Sequence, residues 1–311
     1  MCSLRVSDLS LISTMQSSVT NNRDAYSKIM LQLSTGQKYL TRSENVSETQ
    51  EASLLSISAS KYNQWVTNLN QAKTWEQITD SSNQQVLDIM QQMSALLVEA
   101  NTQINSPSDL ATIATEINEI IESLVDLGNT TYSGVNLYAG TGTCSETFSV
   151  TYDVDGNIDT VTYNGSGTQR SISTAETSTI SYGTLGSSMF DFQYTDKDGN
   201  VKNVDVFASL ISLRDDLSNG IVNSDTLKDL EAAVDNTIAC TVRTTSSQNR
   251  IDNSISGLKS LSQVTSNTVS DLLNVDEAEA ITEFYAVEAS LQAALEMVGR
   301  VNQMSIVNYI K

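Results

Sequence analysis

The chain has 311 residues with 1 proline, no histidine, 39% apolar residues and a formal net charge of −20. That charge opposes contact with nucleic-acid phosphates and anionic membrane surfaces, which recruit proteins through Lys and Arg. Without histidine there is no common general base, no Ser-His or Cys-His nucleophile and no usual zinc set, so neither catalysis, cofactor nor metal is expected.

A single proline, where average usage would give about fifteen, permits very long uninterrupted helices. From Ser7 to Leu33, the residues Ile12, Met15, Val19, Asn22, Tyr26, Ile29 and Leu33 fall at alternating steps of three and four. That is the narrow apolar seam of a coiled coil, which needs a partner helix. Ser34-Thr35-Gly36 stops it, because glycine enters the left-handed region readily. Residues 37–47 have no period and read as a loop.

A second helix is predicted from Glu48. Leu55, Tyr62, Trp65, Leu69 and Ala72 begin its stripe, and Val86, Met90, Met93, Leu97, Ala100 and Ile104 continue it, with Glu76, Thr79 and Asn83 read as interruptions. Unbroken to Ile104 it would extend roughly 85 Å, a length suited to a rod. Trp65 falls on the stripe as a core residue; Trp75 falls beside it and would face a neighbouring subunit. Ser106-Pro107-Ser108-Asp109 opens a third helix: a capping serine, a proline fit for the first turn and an acid at the positive helix end. Ile113, Ile117, Ile120, Leu124 and Leu127 line one face before Gly128-Asn129. The short 101–109 connection makes the second and third helices antiparallel neighbours.

From Tyr132 the period changes to two, in Thr147–Tyr152, Thr160–Tyr163 and Met189–Tyr194. Asp155-Gly156-Asn157 and Asp198-Gly199-Asn200 stand where hairpin turns belong. Residues 136–205 therefore read as a small inserted antiparallel β domain. Helical spacing returns at Phe207, Leu210 and Leu213, then at Leu227, Leu230, Val234 and Ile238, and less regularly through Ile251, Ile255 and Leu258, with a break near Asn274. Ile281, Phe284, Glu288, Leu291, Leu295 and Val298 form a C-terminal seam like the first. The expected class is α+β and mainly α: a long antiparallel helical rod with coiled-coil-like termini and a small inserted antiparallel β domain. Three parts are expected: terminal helices 1–40 and 268–311 for assembly, a helical rod of 41–135 and 206–267, and the β insertion 136–205.

Asp153-Val154-Asp155-Gly156-Asn157-Ile158-Asp159 has alternate carboxylates that suit calcium. It lacks the EF-hand glycine and glutamate spacing, and turn chemistry accounts for every residue in it. Cys2, Cys144 and Cys240 form no CxxC pair and fit either three free thiols or one disulfide with one cysteine left over. Asn129-Thr130-Thr131 and Asn164-Gly165-Ser166 match the glycosylation acceptor pattern, which is common by chance. The first thirty residues hold no signal-peptide pattern, and no apolar run approaches a membrane span.

At Leu33-Ser34-Thr35-Gly36-Gln37-Lys38 the chain resembles the bacterial flagellin superfamily, in which L-S-[ST]-G-x-[KR] closes the first helix. Asp271-Leu272-Leu273-Asn274-Val275-Asp276, Ala280, the Leu291–Leu295 stripe and Asn302-Gln303 are similar to that family's last helix. Asn129-Thr130-Thr131 through Leu137-Tyr138-Ala139-Gly140 resembles the hook–filament junction branch more than filament flagellin, which more often shows Phe-Asn-Gly there. Arg42-Ser43-Glu44-Asn45-Val46 departs from the acidic turn usual after the first helix.

The resemblance implies an extracellular structural subunit of the flagellum, exported by the flagellar type III apparatus without a cleaved signal. It implies a cytosolic export chaperone before secretion, a homo-oligomeric ring, and a neighbouring hook-associated protein and flagellin as partners. Ile12, Met15, Val19, Tyr26, Ile29 and Leu33, with Ile281, Phe284, Leu291, Leu295 and Val298, are the candidate assembly residues. Alternatives are filament flagellin, a secreted adhesin with a helical stalk, and an enzyme built on a convergent acid cluster.

Overall fold

The structure is a computed structural model that describes residues 2–101, 106–154, 156–195 and 199–309, with side chains from Ser10 to Val301. Its helices are α1 (Cys2–Thr35), α2 (Val46–Ala100), α3 (Pro107–Gly128), α4 (Gly186–Phe190), α5 (Val206–Ser218), α6 (Ser224–Leu273) and α7 (Glu277–Tyr309). Between α3 and α5 lie strands β1 (Thr131–Tyr132), β2 (Val135–Asn136), β3 (Phe148–Tyr152), β4 (Ile158–Tyr163), β5 (Arg170–Ser173), β6 (Thr179–Tyr182), β7 (Asp191–Thr195) and β8 (Val201–Asp205). The α+β, mainly helical class expected from sequence is what the chain adopts. Ile104, Asp155 and Asp196–Asp198, used in the sequence reading, lie outside the described residues. Two compact units form, one of residues 1–62 and 260–311 and one of 63–259.

Unit 63–259 starts from well-marked helix ends. Ser106 Oγ accepts from the Asp109 amide at 3.3 Å, and Asp109 Oδ2 accepts from the Ser106 amide at 2.9 Å. This reciprocal box satisfies two amides that a helix start leaves free, and the Ser106 amide holds the Asp109 carboxyl below its usual range. At the other end of α3, Asn129 Oδ1 accepts from the amides of Thr147 and Phe148 at 2.8 and 2.9 Å, and its Nδ2 donates to Phe148 O. The Asn129 amide is therefore bound into the fold.

The strands pair as four antiparallel two-stranded ladders, β1–β2, β3–β4, β5–β6 and β7–β8. Ser133 and Gly134 take φ of 52° and 77°, the two left-handed residues of a tight hairpin turn. An isolated two-stranded ribbon is marginal in water; these ribbons bury side chains against helices instead. Phe148 of β3, Ile158 of β4 and Val204 of β8 join α3 and α5 in one core with Leu124, Phe190, Phe207 and Leu210. The Met189–Tyr194 expectation is corrected here: Met189 and Phe190 end the short helix α4, both buried, and extended backbone begins only at Asp191. An apolar pair followed by alternation does not distinguish one helical turn from a strand start.

Phe148 is the centre of an aromatic cluster, with Phe190, Phe207 and Tyr163 centroids each 5.3 Å away. A Cβ on Gly128 would lie 2.6 Å from the Phe148 ring. Gly128→Ala is thus expected to cost about 1–3 kcal/mol by overpacking, despite its better helix propensity. A lowered urea midpoint at unchanged slope is the check; an unchanged or raised midpoint would count against the packing argument.

Helices α2 and α6 run antiparallel within this unit, joined by Lys73 Nζ to Asp252 Oδ1 at 2.7 Å. The sequence reading is corrected at three places here. Glu76, Thr79 and Asn83 do not interrupt the α2 stripe; they continue it in register and are almost wholly buried, with exposures of 1%, 0% and 0%. Trp75 is buried and Trp65 only half-buried, the reverse of their expected roles. On α6, Ile238 is exposed and Thr237 occupies the buried position. The buried polar groups satisfy one another. Asn83 Nδ2 donates to Thr244 Oγ1 at 3.0 Å and Thr184 Oγ1 at 3.2 Å, and the Tyr138 hydroxyl lies 2.9 Å from Ser82 Oγ and Asn83 Oδ1. Such closed networks specify one packing, because any partner left over is costly in low dielectric.

Glu76 is the unbalanced member. Its Oε1 accepts from the Gly183 amide at 3.0 Å. Its Oε2 has no hydrogen-bond partner. Burial pushes its carboxyl above the usual range, opposed first by the neighbouring Ser247 hydroxyl and then by the Gly183 amide, and reinforced by the charge of Asp80. A carboxyl whose folded pKa is raised binds its proton more tightly folded than unfolded, so its contribution declines as pH rises upward from the unfolded value near 4.5. Glu76→Gln is expected to stabilise the chain by about 1–3 kcal/mol near neutral pH, with the gain shrinking as pH falls toward 4.5. Melting curves of both chains across that range check this; a pH-independent difference would count against it.

Candidate assembly interface

Unit 1–62 with 260–311 contains the paired terminal helices α1 and α7. The root of the pair is built from backbone. Gly36 takes φ of 70° and ends α1, and Gln37 then forms an antiparallel bridge with Asn274. Lys38 N donates to Leu273 O at 2.7 Å, and Val275 N donates to Gly36 O at 2.9 Å. Asp276 Oδ1 then caps α7 by accepting from the Ala278 and Glu279 amides. The connection from α1 to α2 is held by Tyr39, whose hydroxyl donates to Glu48 Oε2 at 2.7 Å, with Lys38 Nζ 3.3 Å from the same oxygen. The Tyr39 hydrogen bond, then Lys38, holds the Glu48 carboxyl below its usual range. This ordered turn is where Arg42–Val46 departs from the superfamily pattern.

Beyond the root the two helices run antiparallel. The Tyr26 and Phe284 rings lie 5.1 Å apart at 35°, and Asn22 Nδ2 donates to Ser290 O at 3.3 Å. All six α1 residues expected in the seam lie in it: Ile12, Met15, Val19, Tyr26 and Leu33 are half-buried and Ile29 is buried. On α7, Phe284, Leu291 and Val298 are half-buried as expected. Ile281 and Leu295 are 46% and 52% exposed and lie off the intramolecular seam. Their places are taken by Ala280, which is buried, and by Val287, Ala294 and Val301, which are half-buried. The observed row is 280, 284, 287, 291, 294, 298 and 301, an unbroken alternation of four and three. Reading only large apolar residues favoured Ile281 and Leu295 over the neighbouring alanines. Both rows keep heptad spacing and share Phe284, Leu291 and Val298, so spacing alone does not choose between them.

This seam buries little. Among the described residues of the two helices, only Ile29 and Ala280 are below a tenth exposed. A second set of large apolar side chains faces away from it: Leu11, Met30 and Leu31 on α1, and Ile281, Tyr285, Leu295 and Met297 on α7, each at least 46% exposed. Two helices bearing apolar rows on more than one side have the pattern of a helix layer completed by other helices. Among the described residues no cluster of His, Cys, Asp or Glu could hold a metal, and no helix is long and apolar enough to cross a membrane. Cys144 and Cys240 are free thiols, while the side chain of Cys2 is outside the described set.

Helix-seam architecture of this kind defines a structural assembly protein. Residues 6–143 match the bacterial flagellin N-terminal helical region, and residues 227–310 match the bacterial flagellin C-terminal helical region. The chain belongs to the bacterial flagellin family, a structural family and not an enzyme family. It is 26% identical to flagellin of Escherichia coli (strain K12) over 140 residues, which are 45% of this chain and 28% of that protein. The chain thus matches less than a third of the length of that curated relative. Its fold is similar to that of a Vibrio parahaemolyticus protein described as a flagellar hook-associated protein, with a TM-score of 0.60 at 13% identity, covering 74% of this chain and 100% of the other. Flagellar hook associated protein-3 from Legionella pneumophila is also similar, with a TM-score of 0.46 at 11% identity, covering 81% and 99%.

Proposed function

We propose that the chain is a non-catalytic subunit of the bacterial flagellum that joins hook to filament. The observation that carries this reading is the half-buried α1–α7 seam with further apolar residues exposed around it, on a chain of the flagellin family. Terminal segments 1–40 and 268–311 pack with the corresponding helices of neighbouring copies in a ring, and with a hook-associated protein on one side and flagellin on the other. Segments 41–135 and 206–267 form the helical part that supports them, and 136–205 is an inserted β part. Ordering of the seam is completed on assembly, when neighbours cover Leu, Ile, Met and Phe side chains. Before that, an export chaperone covers the C-terminal helix, and the flagellar type III apparatus exports the chain without a cleaved signal.

The Tyr138-Ala139-Gly140 segment supports the junction role over the filament role. Tyr138 is fully buried and closes the polar network with Ser82 and Asn83, and Gly140 takes φ of 61° where a Cβ would lie 2.6 Å from Thr168 O. The match to Escherichia coli flagellin favours the second reading, filament flagellin. Immunogold electron microscopy with antibody to residues 136–205 separates them. A single band at the hook–filament boundary is expected. Label along the filament would replace the junction reading with flagellin, and unlabelled flagella would overturn both.

A further inference from the structure

Among the described residues, Trp75 Nε1, Glu76 Oε2 and Arg170 Nε are buried polar atoms of unit 63–259 without a hydrogen-bond partner in the protein. Such atoms are ordinarily satisfied by protein, ordered water or a ligand, so they mark a place that water or a ligand can occupy. Beside them is a cavity of about 140 Å³, walled by Glu76 of α2, Gln169, the Gly183–Leu185 turn, Ser188 of α4, and Cys240, Arg243, Thr244 and Ser247 of α6. At about 30 Å³ per water, it holds about five waters or a molecule of similar size.

Its two charged walls are not paired with each other. Glu76 is 1% exposed, and its free oxygen has no cation in contact. Arg243 is exposed, and its Nη1 lies 3.7 Å from Cys240 Sγ, not on the carboxylate. Ser247 Oγ donates to Ser181 O, and the Thr184 and Thr244 hydroxyls are engaged with each other and with Asn83. The wall therefore offers one buried anionic acceptor with only the Ser247 hydroxyl near it, one guanidinium with donors to spare, and the apolar Leu185 side chain. A buried carboxylate is stabilised by a cation that also donates hydrogen bonds, and a guanidinium prefers a carboxylate. A bare ammonium ion would answer Glu76 and be repelled by Arg243; a simple carboxylate would do the reverse.

We propose that this cavity binds a small zwitterion of the α-amino-acid class, with its ammonium group on Glu76 Oε2, its carboxylate on Arg243 and its short side chain against Leu185. Few polar groups converging in a small concave site give such recognition its orientation.

Titration calorimetry and thermal melts of the full chain, with glycine, L-alanine, L-serine and L-threonine as probes at fixed ionic strength, test this. At least one amino acid is expected to give saturable one-to-one heat and a concentration-dependent rise in melting temperature. Methylammonium and acetate, each carrying half of the recognition, are expected to bind at least about tenfold more weakly. Glu76→Gln and Arg243→Gln are each expected to weaken binding about tenfold or more. Arg243 is at the surface, so its variant reports on binding even where the Glu76 variant changes stability. Absence of saturable binding by all four probes would show a solvent-filled cavity and overturn the proposal. So would equal binding of methylammonium, or affinity indifferent to Arg243→Gln.

Discussion

Leu291→Asp and Val19→Asp are each expected to abolish incorporation into the flagellum while leaving the melting of unit 63–259 within about 0.5 kcal/mol of the parent. Both positions are half-buried in the α1–α7 seam. A carboxylate there loses the apolar contact and must be desolvated beside another helix, at a cost of about 2–4 kcal/mol for each copy. The seam is too thinly buried to absorb it, since Tyr26, Phe284 and Leu291 retain partial exposure even when paired. Complementation of a swimming defect, with sedimentation of purified chain, reads the effect. Ile281→Asp and Leu295→Asp are the informative companions. Both side chains project away from the intramolecular seam, so these variants keep the helical content of the parent and lose association only where neighbouring molecules cover that face. Normal assembly by Leu291→Asp and Val19→Asp would falsify the seam as the assembly surface.

Phe148→Ala carries the largest expected effect on folding. Phe148 is 3% exposed and contacts the rings of Tyr163, Phe190 and Phe207. It also fills the space left by Gly128 and Gly186, where a Cβ would come within 2.6 and 2.7 Å of its ring. Neighbours shaped around one ring collapse poorly when it is removed, so truncation is expected near the upper part of the about 3–5 kcal/mol range for buried aromatics. In a unit of this size each kcal/mol lowers the melting temperature by about 2–4 °C, giving a fall of about 10 °C. Calorimetry should show the loss in the transition of unit 63–259. A fall below about 3 °C would mean that the ribbons and helices do not share the core described for them.

Long helices, their ends and the hairpin turns were legible because each has a local cause. Ser106, Pro107 and Asp109 act within one turn of one another, and Gly156 and Gly199 occupy positions of positive φ. The residues of the α1 seam are legible because large side chains fall on one evenly spaced row there. In α7 two evenly spaced rows share Phe284, Leu291 and Val298, and size favours the wrong one. Ala280 and Ala294 lie in the α7 seam but have too little side chain to mark it, and Ile281 and Leu295 mark a face that the isolated chain leaves uncovered. The polar inlay of α2 was invisible for a different reason. Glu76, Thr79 and Asn83 have the correct spacing; Thr79 bonds its own helix at Trp75 O, but Glu76 and Asn83 are satisfied by Gly183, Thr184 and Thr244, more than 100 residues away in sequence. No local pattern shows that a polar residue has a remote partner. Trp75 is similar: its place is fixed by Tyr132, whose ring is 5.9 Å away edge-on, and by the guanidinium of Arg170 stacked at 4.5 Å.

The Gln37–Asn274 bridge joins α1 and α7 at one end only. Together with the flanking Lys38–Leu273 and Val275–Gly36 hydrogen bonds, it sets how the two helices are aligned before any seam residue meets its partner. Pairing therefore has a fixed origin and a direction, like a fastener that closes from its stop toward free ends. The contacts near Ile29 and Ala280 thus lie next to a fixed backbone anchor, whereas those near Ile12 and Val301 lie furthest from it.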